Sequence, residues 1–193
     1  MALLHRATLS PSKLELLAGW APTQPWFEGD KDAPFTLVAS FRFDDPDGQV
    51  GVETLLVRAG DGPVMQIPLT YRNKILPGVR EHFLGTMEHS VLGTRWTYDG
   101  LGDPVYLGEL AKAILTGGSQ VEQWIEIDGV MTLREPTAVV VGSGSETAPD
   151  LGSFRVDIVR TPDVVAPKAG ELLLTGTWTD HPEPTVLAYA VTI

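Results

Sequence analysis

From Phe35 to Phe43 apolar and polar side chains alternate with a period of two, which reads as a half-buried strand. In Phe35–Phe43 the apolar positions are Phe35, Leu37, Phe41 and Phe43, with Thr36, Ser40 and Arg42 polar between them. A regular strand would put those four on one face. Asp44-Asp45-Pro46-Asp47-Gly48 then reads as a hairpin loop, because Pro presets one turn dihedral and Gly accepts the left-handed one. Val50–Ala59 is the returning strand, Gly60-Asp61-Gly62 a second tight turn, and Pro63–Arg72 a third strand. Pro68 cannot donate to a ladder and is expected at an edge or bulge.

Two more strands follow, His82–His89 and Thr94–Asp99. The period then changes once. Asp103-Pro104 is a helix start, with Asp as N-cap and Pro in the first turn. Leu107, Leu110, Ala111 and Ile114 form an apolar stripe, with Glu109, Lys112 and Thr116 off it. Gly117 is the expected terminator. A shorter helix is predicted over Pro11–Ala18, capped by Ser10 and stopped by Gly19. Beyond Gly118 come strands around Val121–Ile127, Val130–Arg134, Ala138–Val141, Phe154–Val159, Leu172–Thr179 and Val186–Thr192. Gly142–Gly152, Thr161–Gly170 and Asp180–Glu183 read as loops or turns by composition. The order meander, helix, meander implies an α+β fold, an antiparallel curved sheet packed around one main helix. Residues 1–193 form a single domain on this reading, 119–193 supplying further strands.

The 193 residues contain no cysteine, which excludes disulfides, thiolate metal sites and a cysteine nucleophile. A formal charge of −11 argues against nucleic acid and anionic membranes as partners. The excess is uneven: residues 100–193 hold five basic and thirteen acidic side chains. The run Ala2-Leu3-Leu4 is cut off by His5 and Arg6, too short for a secretory signal, and a cytoplasmic location is expected.

Known catalytic patterns fail one by one. Val141-Gly142-Ser143-Gly144 leads a strand into a Gly-rich loop, but position 147 is Thr and no helix pattern follows. There is no Gly-Lys-Ser/Thr P-loop and no His-Xaa-Asp kinase loop. Gly117-Gly118-Ser119-Gln120-Val121 lacks the final Gly of a nucleophile elbow and follows a helix. The four histidines are His5, His82, His89 and His181; on one strand His82 and His89 would face opposite sides, so no metal site is expected. No cofactor is expected either.

The remaining candidates are aromatic and polar. Trp20 and Trp26 bracket the irregular segment Ala21-Pro22-Thr23-Gln24-Pro25, where an exposed aromatic would suit a protein partner. Trp96 and Tyr98 share one strand face and, with Trp178, are candidates for a sugar-stacking surface, although most such rings serve packing. On the opposite parity His89, Arg95 and Asp99 could project together, and Glu88 would oppose them. These eight residues, Trp20, Trp26, His89, Arg95, Trp96, Tyr98, Asp99 and Trp178, are the candidate ligand- or partner-binding set; none is assigned a catalytic role.

The strings Gln66-Ile67-Pro68-Leu69-Thr70-Tyr71-Arg72, Gly85-Thr86-Met87-Glu88-His89-Ser90-Val91-Leu92-Gly93-Thr94-Arg95-Trp96-Thr97-Tyr98-Asp99-Gly100 and Asp103-Pro104-Val105-Tyr106 resemble the N-terminal cap domain of actinobacterial maltokinases. They resemble stand-alone cap-like proteins more closely still. The resemblance is specific over residues 35–118. It implies a small antiparallel sheet with a helix, cystatin-like in outline. In maltokinases this cap sits on an aminoglycoside-phosphotransferase-like kinase that makes maltose 1-phosphate from ATP and maltose. The catalytic residues belong to the kinase body, so none carries over. Residues 119–193 depart from the pattern, forming strands where a maltokinase would enter its kinase lobes.

Three readings follow. The first is a non-catalytic interaction or regulatory module that docks on a kinase or carbohydrate enzyme of maltose, trehalose and glycogen metabolism. The second is a small carbohydrate-binding protein with an aromatic platform. The third is an enzyme with a cleft near Asp99. The partner's identity and the oligomeric state do not follow from the residues.

Overall fold

The computed structural model describes residues 2–4, 7–127, 129–162 and 171–193, with backbone only for 2–4. His5 and most of the Thr161–Gly170 loop, namely 163–170, lie outside the described residues. The strands are β1 (Ala2–Leu4), β2 (Leu9–Ser10), β3 (Phe35–Asp44), β4 (Gly51–Ala59), β5 (Val64–Arg72), β6 (Phe83–His89), β7 (Gly93–Asp99), β8 (Gln123–Ile127), β9 (Val130–Arg134), β10 (Ala138–Gly142), β11 (Phe154–Ile158), β12 (Leu172–Trp178) and β13 (His181–Thr192). The helices are α1 (Lys13–Trp20) and α2 (Pro104–Thr116). The chain is α+β, as expected, and among the described residues the ladders are antiparallel except for the parallel pair β1–β8. Two sheets flank α2 where one curled sheet was expected. A six-stranded sheet has the order β2-β6-β7-β5-β4-β3, a four-stranded sheet β10-β12-β13-β11, and a small third sheet β1-β8-β9.

Helix α2 lies between the two larger sheets. Its Tyr106, Leu110, Ile114 and Leu115 are buried in one apolar core with Phe41, Phe43, Val52 and Leu56 of the first sheet and Val140, Leu174 and Leu187 of the second. The opposite face of the six-stranded sheet packs a second core, Leu55, Val57, Met65, Ile67 and Leu69, against Leu17 and Trp20 of α1. The layers are therefore α1, sheet, α2, sheet. A polar staple joins the sheets: the Gln66 amide nitrogen Nε2 donates to Val159 O (3.1 Å) and Leu187 O (2.8 Å). Among the described residues no helix is long and apolar enough to cross a membrane.

Several local expectations hold at the atomic level. Asp103 accepts from Val105 N at 3.0 Å as the N-cap of α2, and Gly117 closes the helix in the left-handed region. The hairpin after β3 is held by Asp45, whose carboxylate accepts from the backbone N–H of Asp47, Gln49 and Val50. Pro68 lies in a central strand, but beside a local opening. The β5–β7 ladder covers only Leu69–Arg72, so no partner in β7 calls for a donor at position 68.

Other expectations are corrected. A bulge between Leu37 and Ala39 reverses the parity of β3. Phe35 therefore enters the α1-side core, Phe41 and Phe43 enter the α2-side core, and Leu37 is left exposed. Ser12, not Ser10, caps α1, through a reciprocal capping box with Glu15. Gly19 lies inside that helix, which runs on to Trp20 because Leu17 and Trp20 bury there. The predicted turn at Asp180–Glu183 shrinks to Asp180, at φ 65°, and the strand β13 starts at His181.

Gly108, in mid-α2, has open space where a Cβ would stand. Gly108→Ala is expected to stabilise the protein by about 1 kcal/mol, since alanine loses less backbone entropy in a helix. Urea denaturation should show a higher midpoint with an unchanged slope.

Candidate functional site

A cleft of about 510 Å³ opens on the α1 face of the six-stranded sheet, where α1, the β3–β4 hairpin, the end of β5 and the β6–β7 hairpin converge. Its floor rests on a buried polar network. Glu53 of β4 is 5% exposed. It accepts from Lys13 Nζ at 2.5 Å and from the Tyr71 hydroxyl at 2.6 Å, with Arg42 Nη1 3.8 Å away. Burial pushes the Glu53 carboxyl upward, but the charges of Lys13 and Arg42 and the two hydrogen bonds outweigh it, holding its pKa down to about 2. Burial and the Glu53 charge push the Tyr71 phenol well above its usual range.

The sequence brings these groups together for local reasons. The capping box starts α1 at Lys13 and points it over the sheet, 5.3 Å above the Tyr71 ring. Hairpin register sets Arg42 opposite Glu53, two pairs up from Asp44 and Gly51. Around the rim stand His89 and Arg95, from the two strands of the β6–β7 hairpin. His89 Nδ1 accepts from Val91 N (3.2 Å) and Leu92 N (3.1 Å), which places its proton on Nε2. Arg95 Nη2 donates to Leu92 O. Arg42 Nε and Arg95 Nε are both buried and have no hydrogen-bond partner among the described residues.

Of the candidate set, then, the cleft gathers His89 and Arg95. Asp99 does not join them. It is 3% exposed, accepts from Arg160 Nη2 and from Leu101 N (3.3 Å), and begins the short 3-10 turn that ends β7. His82 Nδ1 lies 3.8 Å from the same carboxylate. Arg160 in turn stacks over the Trp26 ring, 4.3 Å from its centre, so Trp26 and Asp99 are joined through a residue the sequence did not single out.

Trp20 and Trp26 do not stand free as an exposed pair. Trp20 is 7% exposed, in contact with Trp26 at 5.7 Å between ring centres, and Trp26 is half-buried. Tyr98 is buried against Phe83, its hydroxyl accepting from Leu76 N at 3.0 Å. Trp178 is buried and stacks on His181 at 4.3 Å. Trp96 is half-buried. Glu88 is tied to Thr94 at 2.7 Å. No three His, Asp or Glu among the described residues come together as a metal site.

Lys13, Arg42, Glu53, Tyr71 and Arg160 were not in the candidate set. Hairpin counting could have found the Arg42–Glu53 pair, because the turn fixes the register. Lys13 and Arg160 reach their partners from 40 and 61 residues away in sequence, and no periodicity reports that.

A further acidic centre lies at the N-terminus of α2. Asp103 is fully buried, with Arg72 donating from Nε and Nη2 at 2.7 Å each. Burial pushes its carboxyl up, but the hydrogen bonds from Arg72 and Val105 N hold it below the usual carboxylate range. Glu53, Asp99 and Asp103 are thus each neutralised by a cation of the fold.

No curated protein matches the chain. A family comparison does give a match, beginning at Trp20 and ending at the N-cap of α2. It takes in β3 to β7 and most of the cleft, rather less than half of the chain, and leaves α2 and β8–β13 outside. Over residues 20–103 the chain matches the maltokinase N-terminal cap domain.

Proposed function

We propose that this protein is a non-catalytic docking or regulatory module, acting on a separate kinase or carbohydrate enzyme of maltose, trehalose and glycogen metabolism. The match of residues 20–103 to a maltokinase cap domain is the observation that carries the reading. Two structural features support it. The three buried carboxylates are each held in ion pairs or backbone caps, an arrangement suited to rigidity rather than proton transfer. In addition, β9 forms the edge of its sheet with all five residues exposed, among them Val130, Met131 and Leu133. An uncovered apolar edge is a template for strand addition by a partner. Burial of Tyr98 and Trp178 speaks against a stacking platform for sugar.

The test is quantitative affinity capture at native abundance, comparing the natural chain with Leu133→Asp. A kinase or carbohydrate enzyme should co-purify stoichiometrically and be lost with the substitution. Recovery of the bait with no stoichiometric partner would overturn the proposal.

A further inference from the structure

We propose that the cleft on the α1 face binds a small organic oxyanion, a phosphate or carboxylate on an apolar body. In a chain of net charge −11, this cleft brings together three cations, Lys13, Arg42 and Arg95. The carboxylates near them are already committed. Glu53 is bonded by Lys13 and Tyr71, Asp45 is spent on the backbone amides of its hairpin, and Asp44 is partnered too. What remains unmet is on the donor side. Arg42 Nε and Arg95 Nε are buried without a partner. Both guanidinium groups line the cleft, and an oxyanion is the acceptor that their N–H groups bond most strongly. The volume is within the range of small-molecule sites, and Leu9, Met87 and Leu92 supply apolar wall for the body of such a ligand. The site does not depend on the docking role proposed above.

The experiment titrates the full chain with phenyl phosphate, benzoate and phenol, followed by amide NMR shifts and calorimetry. The three probes share one ring and differ in the anion. Saturable binding of phenyl phosphate or benzoate, with shifts centred on Arg42, His89 and Arg95, is expected; the tighter of the two identifies the oxyanion preferred. Arg95→Gln should weaken binding by about 10-fold or more, the loss of a charge-assisted bond. Arg95→Lys, which keeps the charge but not the Nε donor, should recover part of it. Arg58→Gln, an exposed cation on β4, should leave the affinity unchanged. Binding should also weaken as salt rises. No saturable shift at millimolar probe, phenol binding as well as the anions, or an Arg95→Gln protein that folds and binds normally would each overturn the proposal.

Discussion

Replacing Gly142 by alanine is expected to cost about 3 kcal/mol or more, far above an ordinary loop substitution. A Cβ at 142 would stand 1.9 Å from Ala113 O and 2.8 Å from Ala113 C, atoms of the helix backbone that cannot rotate away. The Gly142–Gly144 segment lies directly against the C-terminal turn of α2. There Gly144 N donates to Ile114 O (2.8 Å) and Glu146 N to Leu115 O (2.9 Å), while Gly142 N donates to Gly118 O (2.9 Å). The last carbonyls of a helix have no partner within it, and this loop supplies their donors. A methyl group would push the loop off and strand several of those groups at once. Urea denaturation should show the loss as a lowered midpoint. An effect below about 1 kcal/mol would mean that the segment and the helix end are not packed this way. The Gly-rich loop is thus explained without phosphate: its glycines allow two stretches of backbone to touch.

Glu53→Gln should destabilise the protein by about 3 kcal/mol at neutral pH, the cost of leaving the partly buried Lys13 and Arg42 without their counter-charge. The amide keeps the shape of the carboxyl, so the loss reads charge rather than volume. The same group predicts a pH dependence. With its pKa held down to about 2 against an ordinary 4.5, Glu53 contributes fully above 4.5 and loses that contribution as pH falls toward 2. The shift corresponds to about 3 kcal/mol. Wild-type stability should therefore drop through that acid window, and the Gln variant should lack this part of the drop. Parallel acid profiles for the two proteins would show that Glu53 is not held by Lys13 and Arg42 as described.

Much of the fold was legible because it is written in near-neighbour chemistry. The hairpin at Asp44–Gly48, the Asp103 cap and the Gly117 terminator all act within a few residues. The failures have the same logic reversed. The bulge at Leu37–Ala39 leaves no mark in an apolar pattern, yet it sends Phe35 and Phe41 to different cores. Gly19 did not end α1, because the burial of Leu17 and Trp20 outweighs a poor helix residue. β1 and β2 are three and two residues long and exist only through their partners β8 and β6.

The candidate site divides in the same way. His89 and Arg95 were read on one strand parity, and they do meet in the cleft. Asp99 shares that parity, but the end of β7 hands it to Arg160. Sequence by itself determined the strand-rich α+β class, the one long helix with both its ends, and the resemblance later matched over residues 20–103. Tertiary structure alone decided that α2 is enclosed by two sheets and that Lys13, Arg42, Glu53 and Tyr71 form one network. It also decided that the Gly142–Gly144 loop seals a helix end. The physical reason is range: caps, turns and periodicity act over a handful of residues, whereas burial and charge pairing answer to distance in space.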